Sequence, residues 1–318
     1  MIKKNRNWLN LYLKNCKFSN KSKLTIENYR IDLEKFILWF EQNFRKDLSK
    51  VRSQHISQYT QYLADGGKIH IYLKQNWFTE KILKREKILL KTYIQNPLTS
   101  NSRRRHLSSI KNFFEFLKQS FEEANKNFSK NPVKPIIHQI RVKEVDIKHT
   151  ENINPKQFEV LDETIYRPGD RLMLYLLYYG GLRLNELKNI KFESFDYYNE
   201  SVKLKRKGGY IHNLKINNFL IIRKWIITYK EWLLKNNFRF NENGYLFISK
   251  DGGVLSNKTL YNRINKLIHK AGLKGNITPH SFRKACATNL YDDTKDLLLV
   301  RNYLNHKDAS VTQTYIDR

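Results

Sequence analysis

Helical periodicity stops between residues 125 and 152, and that break limits how the chain can fold. Asn125-Lys-Asn-Phe-Ser-Lys-Asn-Pro132 and then Pro135 interrupt any continuing helix, and a basic, extended stretch follows to Thr150. Asn154-Pro155 then reads as the start of a new helix, with proline in the first turn, where its missing N–H costs nothing. With 318 residues the chain exceeds one average domain. The reading is therefore a small all-helical domain over 1–130, a basic linker over 131–152 and a larger domain over 153–318.

The hydrophobic pattern on either side makes the fold mainly α. In residues 22–43, Ile26, Tyr29, Leu33, Phe36, Ile37 and Phe40 recur at spacings of three and four, with Ser22 as N-cap. A shorter helix is predicted over 53–64. Another is marked by Leu107, Ile110, Phe113, Phe114 and Leu117, behind Arg103-Arg104-Arg105. The Lys-rich stretch 68–96 is expected as an additional surface helix. In the second domain the exception to helix is a β-hairpin. Val202-Lys-Leu-Lys205 alternates, Gly208-Gly209 turns, and Tyr210 to Ile216 returns, with Lys207 at the tip. A helix over 219–235, a short strand over Gly244-Tyr-Leu-Phe-Ile-Ser249, and helices over 256–271, 279–291, 294–304 and 310–316 complete the prediction.

Charge names the partner class. The sequence holds 59 Lys and Arg against 30 Asp and Glu, a net +29. Residues 1–150 carry 31 basic against 13 acidic side chains, and the remainder 28 against 17, so the excesses are +18 and +11. An excess shared by both halves coats folded units rather than one tail. It suits a polyanion whose neutralised phosphates release counterions, so a nucleic acid is the expected partner. Cys16 and Cys286 form no disulfide framework or metal spacing. No signal peptide and no apolar run near ~18 residues is visible, so the expectation is a cytoplasmic protein with no membrane partner.

The chemistry sits in four short segments. Thr278-Pro279-His280-Ser281-Phe282-Arg283 begins a helix, with His280 and Arg283 one turn apart and Phe282, Ala285, Cys286 and Leu290 on a core face. The free N–H groups and positive dipole end of a first turn suit an anionic phosphate. Arg183 follows Gly180-Gly181, where an apolar helix must stop, and Glu186 one turn on can orient its guanidinium. Lys207 is either a solvated charge or a proton donor reaching into a cleft. His306 ends one short helix, and Tyr315 lies nine residues later on the next, close to the last residue. Two arginines, two histidines and a late tyrosine suggest a site that holds a phosphodiester while a phenol attacks it.

Together these segments resemble the tyrosine recombinase (phage integrase) family, in its two-domain Xer-like form, over most of the chain. Gly181-Leu-Arg183-Leu-Asn-Glu186-Leu resembles the first arginine box, Arg206-Lys207-Gly208 the hairpin lysine, and His280-Ser-Phe-Arg283 the H-x-x-R box. Leu304-Asn305-His306 with Tyr315 resembles the second histidine and nucleophile. The resemblance implies a helical core-binding domain and a catalytic domain forming a clamp around DNA. It implies that Tyr315 attacks a DNA phosphate, forming a 3′-phosphotyrosyl bond and releasing a 5′-hydroxyl. Arg183, Arg283 and His280 would stabilise charge on the non-bridging oxygens, Lys207 would protonate the leaving oxygen, His306 would bind the phosphate or place Tyr315, and Glu186 would buttress Arg183. No cofactor, neither metal nor ATP, is implied. The implied partner is duplex DNA with an inverted-repeat site, bound by a tetramer at the nucleoid.

Three positions depart from the family pattern without removing a catalytic group: Lys284 stands for a His, Asn305 for a Gly and Gly180 for a Thr. Family members commonly carry a segment beyond the nucleophile that docks on a neighbouring protomer. Only Ile316-Asp317-Arg318 follow Tyr315 here, so the expectation is subunit coupling through the 68–96 insertion, or a truncated sequence.

Candidate DNA contacts are Tyr29, Arg103, Arg104 and Lys111 in the first domain and Lys258 and Arg263 in the second. Two other functions fit parts of the pattern. A type IB topoisomerase-like enzyme shares the chemistry but relaxes supercoils, and the N-terminal resemblance to recombinases argues against it. A non-catalytic DNA-binding protein would not need every catalytic position. Replacing Lys111 with Ala is expected to weaken binding to all DNA sequences alike and to make the salt dependence of affinity shallower, which a titration over several salt concentrations reads directly.

Overall fold

Phe36, Phe40, Tyr59 and Phe113, all fully buried, form the centre around which the N-terminal helices pack. The computed structural model describes residues 1–72, 89–120, 128–140, 150–206 and 209–305. The chain separates into two units, Met1–Ile147 and Lys148–Arg318.

In the first unit, α1 (Lys3–Phe18), α2 (Lys23–Phe44), α3 (Ser53–Asp65) and α4 (Ser100–Ser120) surround this aromatic core. Helix α2 starts as its sequence requires, the Ser22 side chain accepting from the Thr25 N–H at 3.1 Å. Phe36 meets Tyr59 edge to face, with ring centroids 5.0 Å apart. Helix α1 was not anticipated. Trp8, Leu9, Tyr12, Leu13 and Cys16 make its buried stripe, spaced for a helix but diluted by lysines and asparagines. Asn5 anchors it from within: its Oδ1 accepts from Leu48 N at 2.9 Å and its Nδ2 donates to Glu41 Oε1 at 2.7 Å.

The expected surface helix over 68–96 falls partly outside the described residues, and where it is described, at 68–72 and 89–95, strands stand in its place, so the first domain is not all-helical. β1 (Gly67–Tyr72) pairs antiparallel with β2 (Leu89–Gln95), Ile69 opposite Tyr93. The reason lies in the sequence: Lys68-Ile69-His70-Ile71 alternates, as does Thr92-Tyr93-Ile94, and such residues fit a pleated ribbon. Ile69 is buried, while Lys68 on the opposite face is exposed. Gly66, at φ +80°, ends α3 and turns the chain into β1. Further on, α5 (Pro135–His138) lies against α3, and Val133 is buried in the same core. Residues 131–140 of the expected linker thus pack on the first unit.

Asp32 is fully buried in α2 and accepts from Arg105 Nη1 at 2.6 Å and Ser109 Oγ at 2.8 Å, both on α4. His106 Nε2 lies 3.3 Å from the same carboxylate. Burial, then Lys35 and Arg105, push the His106 pKa down to about 3.

In the second unit, α7 (Pro168–Tyr178) is the central helix, apolar on nearly every side, between α9 (Phe219–Lys235) and α11 (Pro279–Thr294). α6 (Pro155–Glu163) begins at the predicted cap, Asn154 Oδ1 accepting from Gln157 N at 2.9 Å and Gln157 Oε1 from Asn154 N at 3.1 Å. α8 (Leu184–Asn189), α10 (Asn257–Lys270) and α12 (Leu297–Leu304) complete the helices described here. The expected helix over 310–316 lies outside the described residues. The hairpin appears as β4 (Ser201–Lys205) and β5 (Ile211–Lys215), with β3 (Phe195–Asp196) added at the β4 edge. The strand expected over 244–249 is reduced to two isolated bridges, Lys191 with Tyr245 and Ile248 with Val254, because turns interrupt the pairing.

The buried imidazole makes the first unit acid-sensitive. Below the ordinary histidine value near ~6.5 the unfolded chain takes up a proton that folded His106 refuses, so stability falls as pH drops from there toward about 3. His106→Gln is expected to remove up to about 1.4 kcal/mol per pH unit of that slope, measured by urea unfolding between pH 7 and 4.

Candidate active site

Arg283 organises the second unit's site. Although its type belongs on surfaces, the side chain is 1% exposed on α11. Nη1 donates to the Gly181 carbonyl, and Nη2 donates to the Leu304 carbonyl at 2.6 Å. One guanidinium thus ties together the end of α7, the first turns of α11 and the end of α12. Those are three of the four segments singled out from sequence. Gly181 makes the approach possible. Its φ is +58°, and a Cβ there would come within 2.5 Å of Leu304 Cδ2 and 3.0 Å of Cys286 Sγ.

Two residues on, Arg183 precedes α8. Its backbone N–H donates to Glu186 Oε2 at 2.8 Å, and its Nη1 donates to Glu186 Oε1 at 3.0 Å. The remaining edge of this guanidinium faces solvent, the side chain being 40% exposed. Glu186 is buried and has a second partner that sequence reading missed: Arg206 Nη1 lies 2.6 Å from Glu186 Oε2. Burial would raise the Glu186 pKa, but Arg206, the Arg183 N–H and the Arg183 guanidinium outweigh it and hold the carboxyl below its usual range. A signal for Arg206 existed in the alternation of β4, which continues to place every second side chain inward through Val202, Leu204 and Arg206.

His280 sits in the first turn of α11, exposed at its outer edge. Burial of its inner side, then Arg283 and Arg183, lower its pKa, so the ring is neutral at pH 7 and donates through one nitrogen. Asn305 ends α12 in the left-handed conformation, and its Nδ2 donates to Tyr210 Oη at the start of the hairpin's return strand. The hairpin and the end of α12 therefore touch. Lys207, His306 and Tyr315, expected as proton donor, second histidine and nucleophile, lie outside the described residues.

The DNA-contact candidates divide. Arg104, Lys111 and Lys258 are exposed. Arg103 is half-buried and donates through Nη2 to Ser100 Oγ at 3.2 Å. Tyr29 is half-buried beside Tyr12, its hydroxyl accepting from Asn112 Nδ2 at 3.2 Å. Arg263 is paired with the buried Asp170. Among the described residues no cluster of three His, Cys, Asp or Glu could hold a metal ion, and no helix is long and apolar enough to cross a membrane.

Residues 151–318 match the phage integrase family, and the chain belongs to it. It is 25% identical over 306 residues to the tyrosine recombinase XerC of Natranaerobius thermophilus, covering 93% of this chain and 88% of the relative. With XerC of Escherichia coli O157:H7 it shares 30% identity over 212 residues, covering 66% and 67% of the two chains. The fold is similar to that of a XerH site-specific recombinase bound to difH substrate (TM-score 0.65, 18% identity, 98% and 81% coverage). It is also similar to that of a lambda integrase tetramer bound to a Holliday junction (TM-score 0.66, 13% identity, 98% and 77% coverage).

The two arginines carry different structural weight. Arg283→Ala leaves two inward-facing carbonyls without their donor and is expected to cost roughly 3 kcal/mol of stability. Arg183→Ala removes a partly solvated side chain and is expected to cost about 1 kcal/mol or less. Chemical denaturation of the two variants beside the unaltered protein measures the difference.

Proposed function

We propose that this protein is a site-specific DNA recombinase that breaks and rejoins strands through a covalent 3′-phosphotyrosyl intermediate, integrating or excising a mobile element or resolving replicons. The observation that carries the reading is the buried Arg283 binding the Gly181 and Leu304 carbonyls. It ties Gly181, two residues before Arg183, to Leu304, two residues before His306, from the helix that also carries His280.

On this reading the Tyr315 hydroxyl oxygen attacks the scissile phosphorus as its proton passes to solvent water. A new P–O bond to tyrosine forms, and the bond from phosphorus to the 5′-oxygen breaks. Lys207 supplies a proton to that leaving oxygen. Arg183 and neutral His280 stand at the negative charge that builds on the non-bridging oxygens, the enclosed Arg283 adds its positive field from behind them, and His306 holds the phosphate or the tyrosine. Glu186 keeps the Arg183 fork turned toward the phosphate. The phosphotyrosine conserves the energy of the broken bond, so attack by a second strand's 5′-hydroxyl reverses the step without metal or ATP.

The partner is duplex DNA carrying an inverted-repeat site, which the two domains would hold as a clamp. The net +29 supports it, as do the DNA-bound neighbours. The lambda integrase neighbour is a tetramer on a Holliday junction, and we carry that oligomer over to this chain. Arg104, Lys111 and Lys258 are its exposed candidate contacts, with Arg103, Tyr29 and Arg263 as candidates already engaged within the protein. Its place of work would be the cytoplasm, at the nucleoid.

Covalent capture tests the reading. The protein is incubated with nicked fragments of its own genome, denatured, and the attached DNA is sequenced, with Tyr315→Phe beside it. Adducts at one inverted repeat, absent with Tyr315→Phe, are the expected result. Adducts scattered without sequence preference would point instead to a topoisomerase, and no adduct with either protein to a DNA-binding role alone.

A further inference from the structure

Resting on that reading, we infer that Arg206 is a positioning residue for strand cleavage, one that holds Glu186 and through it aims the Arg183 guanidinium. Three observations converge on it. Arg206 is 4% exposed, at the inner end of β4, and its Nη1 meets Glu186 Oε2 at 2.6 Å. The same carboxylate, through its other oxygen, binds Arg183 Nη1 at 3.0 Å. Arg206 is also locked by the hairpin backbone, its N–H donating to the Tyr210 carbonyl and its own carbonyl accepting from Gly209 N, both at 3.0 Å.

The physical consequence is a relay of position. Glu186 lies on α8, a helix of six residues, too short to hold a side chain rigidly by its own hydrogen bonds. The Arg183 N–H holds Oε2 from the helix side at 2.8 Å, but without Arg206 no group would fix the carboxylate from the sheet side. Arg206 occupies one oxygen from the sheet side, so the other presents a single geometry to Arg183. The Arg183 fork then faces solvent with one free edge, the edge a phosphate oxygen would meet. The balance of charge is also set. Two guanidiniums on one carboxylate leave a local excess of one positive charge, favourable to an incoming phosphodiester, where a lone Arg183–Glu186 pair would be neutral. Arg206 makes no direct contact in this scheme, because its side chain is sealed from solvent.

The test uses the full chain. Arg206→Met and Arg206→Lys are assayed in the native and Glu186→Gln backgrounds, with nicked genomic fragments as substrate. Affinity for the fragments and the rate of adduct formation are measured separately. Arg206→Met is expected to bind DNA within about threefold of the unaltered protein while cleaving roughly 10- to 100-fold more slowly, with Arg206→Lys recovering most of the rate. In the Glu186→Gln background the same change should cost less than about twofold, since its route of action is already gone. An undiminished cleavage rate for Arg206→Met, or losses that multiply fully across the two sites, would overturn the inference.

A second readout does not depend on cleavage and covers a variant that folds poorly. The carboxyl carbon resonance of Glu186, identified by its loss in Glu186→Gln, reports that group's titration. Arg183, Arg206 and His212 are the charged and titratable groups that act on it. Its midpoint should lie below the usual glutamate range and rise in Arg206→Met, with a smaller rise in Arg206→Lys. An unmoved midpoint in both variants would sink the inference even if no DNA adduct is ever seen. Absence of adducts with the unaltered protein, by contrast, would count against the recombinase reading.

Discussion

A guanidinium enclosed by protein needs its charge answered by nearby dipoles, since the cost of leaving it unpaired exceeds what most single contacts supply. Arg283 is answered by the carbonyls of Gly181 and Leu304, two backbone groups 123 positions apart in sequence. This demand organises the second unit. Helix α7 must end where it does for Gly181 to offer its carbonyl, and Gly181 must lack a side chain for Leu304 and Cys286 to close in. Helix α12 must end on Leu304 for that carbonyl to be free of a helical partner. The same bonds fix the takeoff of Arg183 and of the chain leading to His306.

Around this anchor the site distributes charge by depth. Arg283 and Arg206 are buried, Arg183 is half exposed, and the carboxylate of Glu186 stands between Arg183 and Arg206. Partial burial, then the positive charges of Arg283 and Arg183, keep His280 neutral, so it serves as a hydrogen-bond donor rather than as one more cation. The first unit shows the same economy in another form. There buried Asp32 gathers Arg105 and Ser109 beside a neutral His106, joining α2 to α4 across an otherwise aromatic core.

How much of this could be read beforehand varied with the kind of signal. Helix α2, with its Ser22 cap, and α9 over 219–235 were legible to within a residue or so, because apolar spacing and caps are local properties. The hairpin was legible from alternation and its Gly-Gly turn. Helix α1 was hidden because Lys and Asn dominate its surface, although Trp8, Tyr12 and Cys16 keep helical spacing. The strands at 67–72 and 89–95 were hidden because lysine content masks the alternation of Ile69, Ile71, Tyr93 and Ile94. Arg183, Glu186, His280 and Arg283 stood out by pattern, whereas Arg206 did not, since its importance lies in a partner 20 positions away.

By itself the sequence determined the partner class, through a positive charge spread over both halves, and the residue types of the site, through short motifs whose members are neighbours along the chain. It also determined most helix limits, since capping and periodicity act over a few residues. Tertiary structure alone decided which arginine would be buried and which left facing solvent. It brought Arg206 to Glu186 and turned Arg263 toward Asp170. The reason is that burial and ion pairing depend on which remote segments fold against one another, and no local pattern encodes that distance.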